Sequence, residues 1–227
     1  MNRPSYGGVG IDDFVIVYAA ALERPDVPQA MGFELGVGKV AATAALYSLL
    51  LTLEQRQPVR GVLLCGIAGA YPERHRRAPP PVSPGQVCIV GSDGLADEGV
   101  ETPAGFIDFG KAAEHGLRLV DTGPFPANPR MAADAAARLG VPIVRGATVS
   151  TCSGTEARSR ALLERTGADI ETMEGAAVAA VCRKREVPLL HVRAISNWTG
   201  DRDRGAWNLG RAVDALREAM QRLFTPA

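Results

Sequence analysis

Glu171-Thr172-Met173-Glu174-Gly175-Ala176-Ala177 is followed by small residues to Lys184, an apolar run from Val187, and then Arg193-Ala194-Ile195-Ser196-Asn197-Trp198. Asp169 to Met173 reads as a strand, the stretch from Glu174 to Lys184 as a helix, and Val187 to Ile195 as a second strand. A strand–helix–strand unit of this kind turns the ends of its strands towards one crevice, where ligands usually bind. The unit therefore sets a carboxylate, Glu174, and an amide, Asn197, at the ends of neighbouring elements. A carboxylate can grip hydroxyls and an amide can grip a heterocycle, a combination suited to a nucleoside.

Outward from this unit, strand-like and helix-like runs alternate, the pattern of an α/β domain. Phe14 to Tyr18 and Phe33 to Val37 read as strands, and Val40 to Glu54 as a helix that ends before Pro58. Val59 to Cys65 reads as a buried strand closed by a Gly66-Ile67-Ala68-Gly69 turn. Tyr71 to Pro84 carries several prolines and a basic cluster and reads as a surface loop. Gln86 to Val90 is a strand, Asp93 to Phe109 an irregular excursion, and Arg118 to Asp121 a short strand. A helix from Pro129 to Leu139 stops at Gly140. Ile143 to Thr151 is a strand, Glu156 to Arg165 a helix ended by Gly167, and Trp207 to Phe224 the last helix. No composition shift marks a boundary. The expectation is a flexible segment over 1–13 and one domain over 14–227, a three-layer α/β/α fold on a central mixed, mostly parallel sheet.

The 227 residues suffice for one well-buried core; 46% are hydrophobic and 22% charged, and 25 Lys plus Arg balance 25 Asp plus Glu. A net charge of zero gives no electrostatic footprint for nucleic acid or an anionic membrane. The Gly-rich, polar start is unlike a signal peptide. The longest apolar stretch, Val40 to Leu53, is broken by Thr43, Ser48 and Thr52 and is too short to span a bilayer. Cys65, Cys88, Cys152 and Cys182 are widely spaced, as buried thiols of a reducing cytosol would be, without the pairs of a zinc site. His191, inside an apolar run, reads as a satisfied core imidazole.

Gly36-Val37-Gly38-Lys39 suggests a phosphate loop, but Phe33 stands where that motif needs glycine and Val40 where it needs Ser or Thr. A tight strand-to-helix turn is the plainer account. At Gly66 to Gly69, small residues let a flat ligand approach the backbone. A carboxylate at the first turn of a helix, as at Glu174, is also favoured by the helix dipole alone, by roughly 0.3–1 kcal/mol.

The Met173-Glu174 pair before Gly-Ala-Ala, together with Ser196-Asn197, resembles the purine nucleoside phosphorylase and nucleosidase superfamily. The stretches Leu95 to Thr102, Gly105-Phe106 and Trp198 to Asp203 with Trp207 are similar to its futalosine hydrolase family. The resemblance covers most of residues 14–224. It implies that Met173 packs on ribose while Glu174 accepts bonds from the sugar hydroxyls, and that Ile67, Ala68 and Gly69 lie against sugar and purine. It implies further that Cys152 and Ser153 belong to the base-side loop, and that Glu23, just after the first strand, orients the attacking water. Adenine-specific members carry aspartate where this chain has Asn197. An amide cannot deliver a full proton to N7 of adenine, so with Ser196 it is expected to support hypoxanthine instead.

The implied reaction is hydrolysis of the N-glycosidic bond of futalosine, releasing hypoxanthine, in a menaquinone route. Water is favoured over phosphate because Ile67 fills a Ser or Thr position and the phosphorolytic arginine motif is missing. The family's alternatives are methylthioadenosine/S-adenosylhomocysteine nucleosidase and purine nucleoside phosphorylase; a non-catalytic nucleoside-binding relative is a third. No metal or organic cofactor is implied. The expected partners are a purine nucleoside and a second copy of the chain, in the cytoplasm, with Phe106 as the aromatic residue lent across a dimer. Arg74, Arg76 and Arg77 are candidates for the substrate's acidic tail, although a solvated basic loop accounts for them equally.

Overall fold

The structure, a computed structural model, describes residues 3–27, 30–110, 120–201 and 208–226, without the side chain of Arg74. Arg118, Arg202, Asp203 and Trp207, which enter the expectations above, lie outside the described residues.

A short hairpin, β1 (Ser5–Tyr6) and β2 (Val9–Gly10), precedes β3 (Phe14–Tyr18), β4 (Gly32–Glu34), α1 (Lys39–Glu54) and β5 (Gly61–Ala70). There follow β6 (Val87–Leu95), β7 (Gly99–Thr102), β8 (Gly105–Asp108), β9 (Phe125–Pro126), α2 (Pro129–Leu139), β10 (Ile143–Thr148) and α3 (Glu156–Thr166). The chain closes with β11 (Ile170–Thr172), α4 (Gly175–Lys184), β12 (Leu189–Trp198) and α5 (Leu209–Phe224).

The central sheet runs β11-β10-β6-β12-β5-β3-β4, with β9 beside β6. Pairings of β10 with β6 and β11, β5 with β12 and β3, and β3 with β4 are parallel; β6 with β12 and with β9 are antiparallel. One further antiparallel pairing, Ile170 with Ala70 and Glu171 with Gly69, joins β11 back to β5. Five strands thus close into a ring.

Helices α1 and α4 cover one face, packing Leu46, Leu50, Ala176 and Val178 against Val17, Val62 and Leu64. Helices α2 and α5 cover the other, packing Met131, Ala135, Leu216 and Leu223 against Ile16, Leu63, Leu190 and Val192. The expected three-layer α/β/α arrangement on a mixed sheet is thus present. Local signals place several helix ends. Asn128 caps α2 by accepting from Arg130 and Met131 N–H, with Pro129 at the first helical position. Gly140 and Gly167 close α2 and α3 in the left-handed conformation that glycine adopts most readily.

Four expectations change. Residues 3–13 are not a free lead-in: Tyr6 and Ile11 are buried, and the Tyr6 hydroxyl donates to Leu223 O at 2.7 Å. Gly66 to Gly69 do not turn; they continue β5, because β12 and β11 supply ladder partners on either side. Asp93 to Leu95 likewise extend β6, and the excursion after them is ordered as the β7–β8 hairpin. The proline-rich loop is pinned at both ends, with Tyr71 and Val82 buried and Arg76 paired to Asp169 at 2.6 Å. Among the described residues no helix is long and apolar enough to cross a membrane.

Candidate active site

A cavity of about 240 Å³ opens at the ends of β3, β5, β11 and β12. Ala20, Glu23, Val37, Ile67, Ala68, Gly69, Cys152, Ser153, Glu171, Met173, Glu174, Ser196, Asn197 and Thr199 are among its walls. Every site residue expected from the sequence is there except Phe106. That side chain lies on the β7–β8 hairpin with the Arg165 guanidinium 3.8 Å over its ring. The hairpin forms its own two-stranded sheet, and Phe106 is not among the described residues that line the cavity.

Glu23 ends a single 3-10 turn, Ala21–Glu23, that follows β3. Its buried carboxylate accepts N–H bonds from Ala19 (3.1 Å), Ala20 (3.2 Å) and Ile67 (2.8 Å). A carboxylate offers about four acceptor sites, so one remains for the cavity. Glu174 sits just before α4, at the end of β11. It accepts from Gly38 N–H at 2.9 Å and faces Arg193 Nη2 at 3.4 Å. Gly38 has φ +94°, a conformation that suits glycine, and in it the N–H reaches the Glu174 carboxylate. This is what the Gly36 to Lys39 turn does: it holds a carboxylate, not a phosphate. Lys39 itself pairs with Asp97 (2.6 Å) and Glu98 (2.5 Å).

Between the two carboxylates lies Arg193, 1% exposed. Its Nη1 donates to Ile67 O at 3.0 Å and stands 3.9 Å from Glu23; its Nε donates to His191 Nε2 at 2.8 Å. Burial and then the Arg193 charge push the His191 imidazole well below its usual range, so it is a neutral acceptor. Gly66 makes the arrangement possible: a Cβ there would fall 2.2 Å from Arg193 Nη1 and 2.8 Å from Glu23 Oε1. Arg193 belongs to no motif, although an arginine inside an apolar strand needs carboxylate partners and so signals them.

Ser196 lies at a register shift between β12 and β5, after which Asn197 pairs with Gly69. Bulges of this kind re-aim side chains beside functional sites. The Ser196 hydroxyl lies 2.7 Å from Asn197 Oδ1, and Asn197 Nδ2 donates to Trp198 O at 2.8 Å. With its oxygen held, the amide has one N–H left to offer a ligand.

Beneath the start of α4, Asp93 is fully buried. It accepts from the hydroxyls of Thr148 (2.8 Å) and Thr172 (3.1 Å), and these in turn accept from Ala176 and Gly175 N–H. Burial raises the Asp93 carboxyl to about 7, against the pull of both threonines and Arg193. Its folded value lies above the unfolded one, so the folded state holds the proton between about pH 4 and 7 and loses stability as pH rises through that window. Asp93→Asn mimics the neutral acid. Its stability relative to the parent should rise by a few kcal/mol between pH 4 and pH 7, measured as the difference between two urea-denaturation profiles. His191 is common to both proteins and cancels in that difference. A constant difference across the window would show that Asp93 titrates as an ordinary acid.

Cys65, Cys88 and Cys182 are buried, with thiols pushed up to about 12. Cys152 departs from that expectation and is exposed at the cavity. Among the described residues no group of His, Cys, Asp or Glu is disposed to hold a metal ion.

A model of the phosphorylase superfamily matches residues 29–225. The futalosine hydrolase of Thermus thermophilus is 35% identical over 191 residues, 84% of this chain and 79% of the relative. That of Streptomyces coelicolor is 33% identical over 200 residues, 88% of this chain and 79% of the relative. Among solved structures, a futalosine hydrolase of Helicobacter pylori superposes with a TM-score of 0.71 at 17% identity, covering 92% of this chain and 96% of that one. A methylthioadenosine/S-adenosylhomocysteine nucleosidase of Colwellia psychrerythraea with adenine gives 0.69 at 16% identity, covering 93% of each.

Proposed function

We propose, for a chain that belongs to the phosphorylase superfamily and within it to the futalosine hydrolase family, that the cavity hydrolyses the N-glycosidic bond of futalosine. The observation that carries this is the pair of buried carboxylates, Glu23 and Glu174, sharing Arg193 at one end of a cavity whose other end carries Asn197.

In the proposed reaction the oxygen of water bonds to C1′ of ribose as the C1′–N9 bond breaks, and the bonding pair leaves with the purine as an anion, which takes a proton from solvent to give hypoxanthine. Glu23, with one acceptor site open, orients the water and takes its proton. Glu174 and Met173 hold the sugar. Two carboxylates facing a single guanidinium leave the sugar end negative, which favours the positive charge that develops on ribose. Asn197, with its amide oxygen held by Ser196, gives N–H to N7 or O6 of the departing hypoxanthine. Ile67, Ala68 and Gly69 form the floor, and Cys152 and Ser153 the base-side wall. Phosphate as the nucleophile would need a cationic cradle, and among the described residues that line the cavity none is Lys or Arg.

The test is chromatography of the products from futalosine with and without phosphate. Hypoxanthine and dehypoxanthine futalosine are expected at equal rates in both. A sugar phosphate would make the protein a phosphorylase, and no free base at all would make it a binding protein.

A homodimer, a cytoplasmic location and a place in menaquinone biosynthesis belong to the same proposal. The dimer draws support from the apolar groove between α1 and α4, where Val40 is 84% exposed beside Thr43, Ala44, Ala177 and Val181. Light scattering should return twice the chain mass. Such a pairing is where Phe106 would contribute. Arg76 is held by Asp169 and Arg77 is exposed, so Arg77 is the better placed of these two for the acidic tail; the side chain of Arg74 lies outside the described residues.

A further inference from the structure

Three residues lie in one row across the floor of the cavity. Gly69 on β5 pairs with Asn197 on β12 to one side and with Glu171 on β11 to the other. The row exists only because the ring of strands closes. Adjacent strands are about 4.8 Å apart, so the backbones of Glu171 and Asn197 stand roughly 9–10 Å from each other. The middle residue has no side chain. A Cβ on Gly69 would point among Asn197 and Thr199, 2.9 Å from Thr199 Cγ2. Thr199 and the Asn197 amide thus close over Gly69, and because Asn197, Thr199 and Glu171 all line the cavity, a flat heterocycle within it can meet Asn197 at one edge and Glu171 at the other.

The two ends have opposite hydrogen-bond character. Asn197 has a spare N–H donor. Glu171 is 6% exposed and lines the cavity. Its Oε1 accepts from Ser153 N–H at 2.7 Å; its Oε2 accepts from Ser153 Oγ at 2.5 Å and from the Tyr71 hydroxyl at 3.3 Å. Burial beside Glu171 keeps the Tyr71 phenol well above its usual range, so it stays a donor. Three donors on about four acceptor sites leave one acceptor for a ligand.

We propose that Glu171 is a specificity-determining residue, accepting the N1–H of a 6-oxopurine and opposing a 6-aminopurine, whose N1 is itself an acceptor. This rests on the futalosine hydrolase reading of the cavity and adds a reader at the far edge of the base from Asn197. A 6-oxopurine offers acceptors at N7 and O6 and a donor at N1, complementing the row from end to end. A 6-aminopurine sets its N1 lone pair against a carboxylate and leaves both buried groups unpaired, the kind of mismatch that polar sites reject strongly.

Glu171→Gln keeps the shape and supplies an N–H that can serve N1 of adenine. The kcat/KM ratio of futalosine to its 6-amino analogue should fall at least tenfold in this variant. Calorimetry should show its preference for free hypoxanthine over adenine shrinking by a similar factor. Ser153→Ala, which removes one bond to the carboxylate, should lower both substrates together and leave the ratio near that of the parent. Equal losses on both substrates in Glu171→Gln, with the ratio within twofold of the parent, would show that Glu171 only anchors the Ser153 loop, and the proposal falls. The parent alone gives a variant-free check: it should bind hypoxanthine at least tenfold more tightly than 1-methylhypoxanthine, and equal binding overturns the proposal. If the parent releases no base from any nucleoside, the hydrolase reading fails while the two binding comparisons still decide the role of Glu171.

Discussion

Glu23→Gln should lower kcat/KM for futalosine by two to four orders of magnitude, the range of a positioned general base, while hypoxanthine still binds. Glutamine keeps one carbonyl oxygen for part of the Ala19, Ala20 and Ile67 N–H set, so the turn after β3 survives. What is lost is the proton acceptor. The measurement is steady-state kinetics beside calorimetry with the free base. Turnover within threefold of the parent would mean that water is activated elsewhere in the cavity. A parallel collapse of base binding would mean that the substitution deformed Ile67 and the floor.

Arg193→Met should cost the protein about 3–5 kcal/mol of stability, the range for removing one partner of a buried ionic cluster, and with it nearly all turnover. Methionine fills the space of the aliphatic stem but leaves Glu23 and Glu174 facing each other without their shared cation, and leaves His191 Nε2 without its donor. Urea denaturation gives the stability and the nucleoside assay the activity. A variant as stable as the parent would show that the carboxylates reorganise at no cost, and the account of Arg193 as their common anchor would have to be abandoned.

Much of this site was legible because its chemistry sits in short local patterns. Met173-Glu174 before a run of small residues marks a strand passing into a helix, and Ser196-Asn197 ends a strand whose apolar run is unmistakable. Several helix ends were legible too, since Pro129, Gly140 and Gly167 act through their own backbone, whereas the Asn128 cap of α2 came only with the structure. What stayed hidden was set by partners distant in sequence. The glycines of Gly66 to Gly69 read as a turn by local preference, yet two neighbouring strands supply the ladder that keeps them extended, and tertiary pairing outweighs propensity. Arg193 and Glu171 gave no motif. Their meaning depends on Ile67, Tyr71 and Ser153, which only the folded sheet brings near. The proline-rich loop misled in the opposite sense: its composition is that of a solvated surface, but the Arg76–Asp169 pair and buried Tyr71 fasten it down.

The closure of β11 onto β5 also bears on how the protein acquires its activity. The contact joins residues about a hundred positions apart, such as Ile170 and Ala70, whereas α1 to α5 form from neighbours along the chain. Closing so long a loop costs entropy before any reward is collected, so pairings of this range form slowly. During refolding the helical circular dichroism signal should therefore return ahead of hypoxanthine release, because the cavity floor between Glu171 and Asn197 exists only once the ring of strands has shut. With that order, enzymatic activity would serve as a clock for the last step of folding.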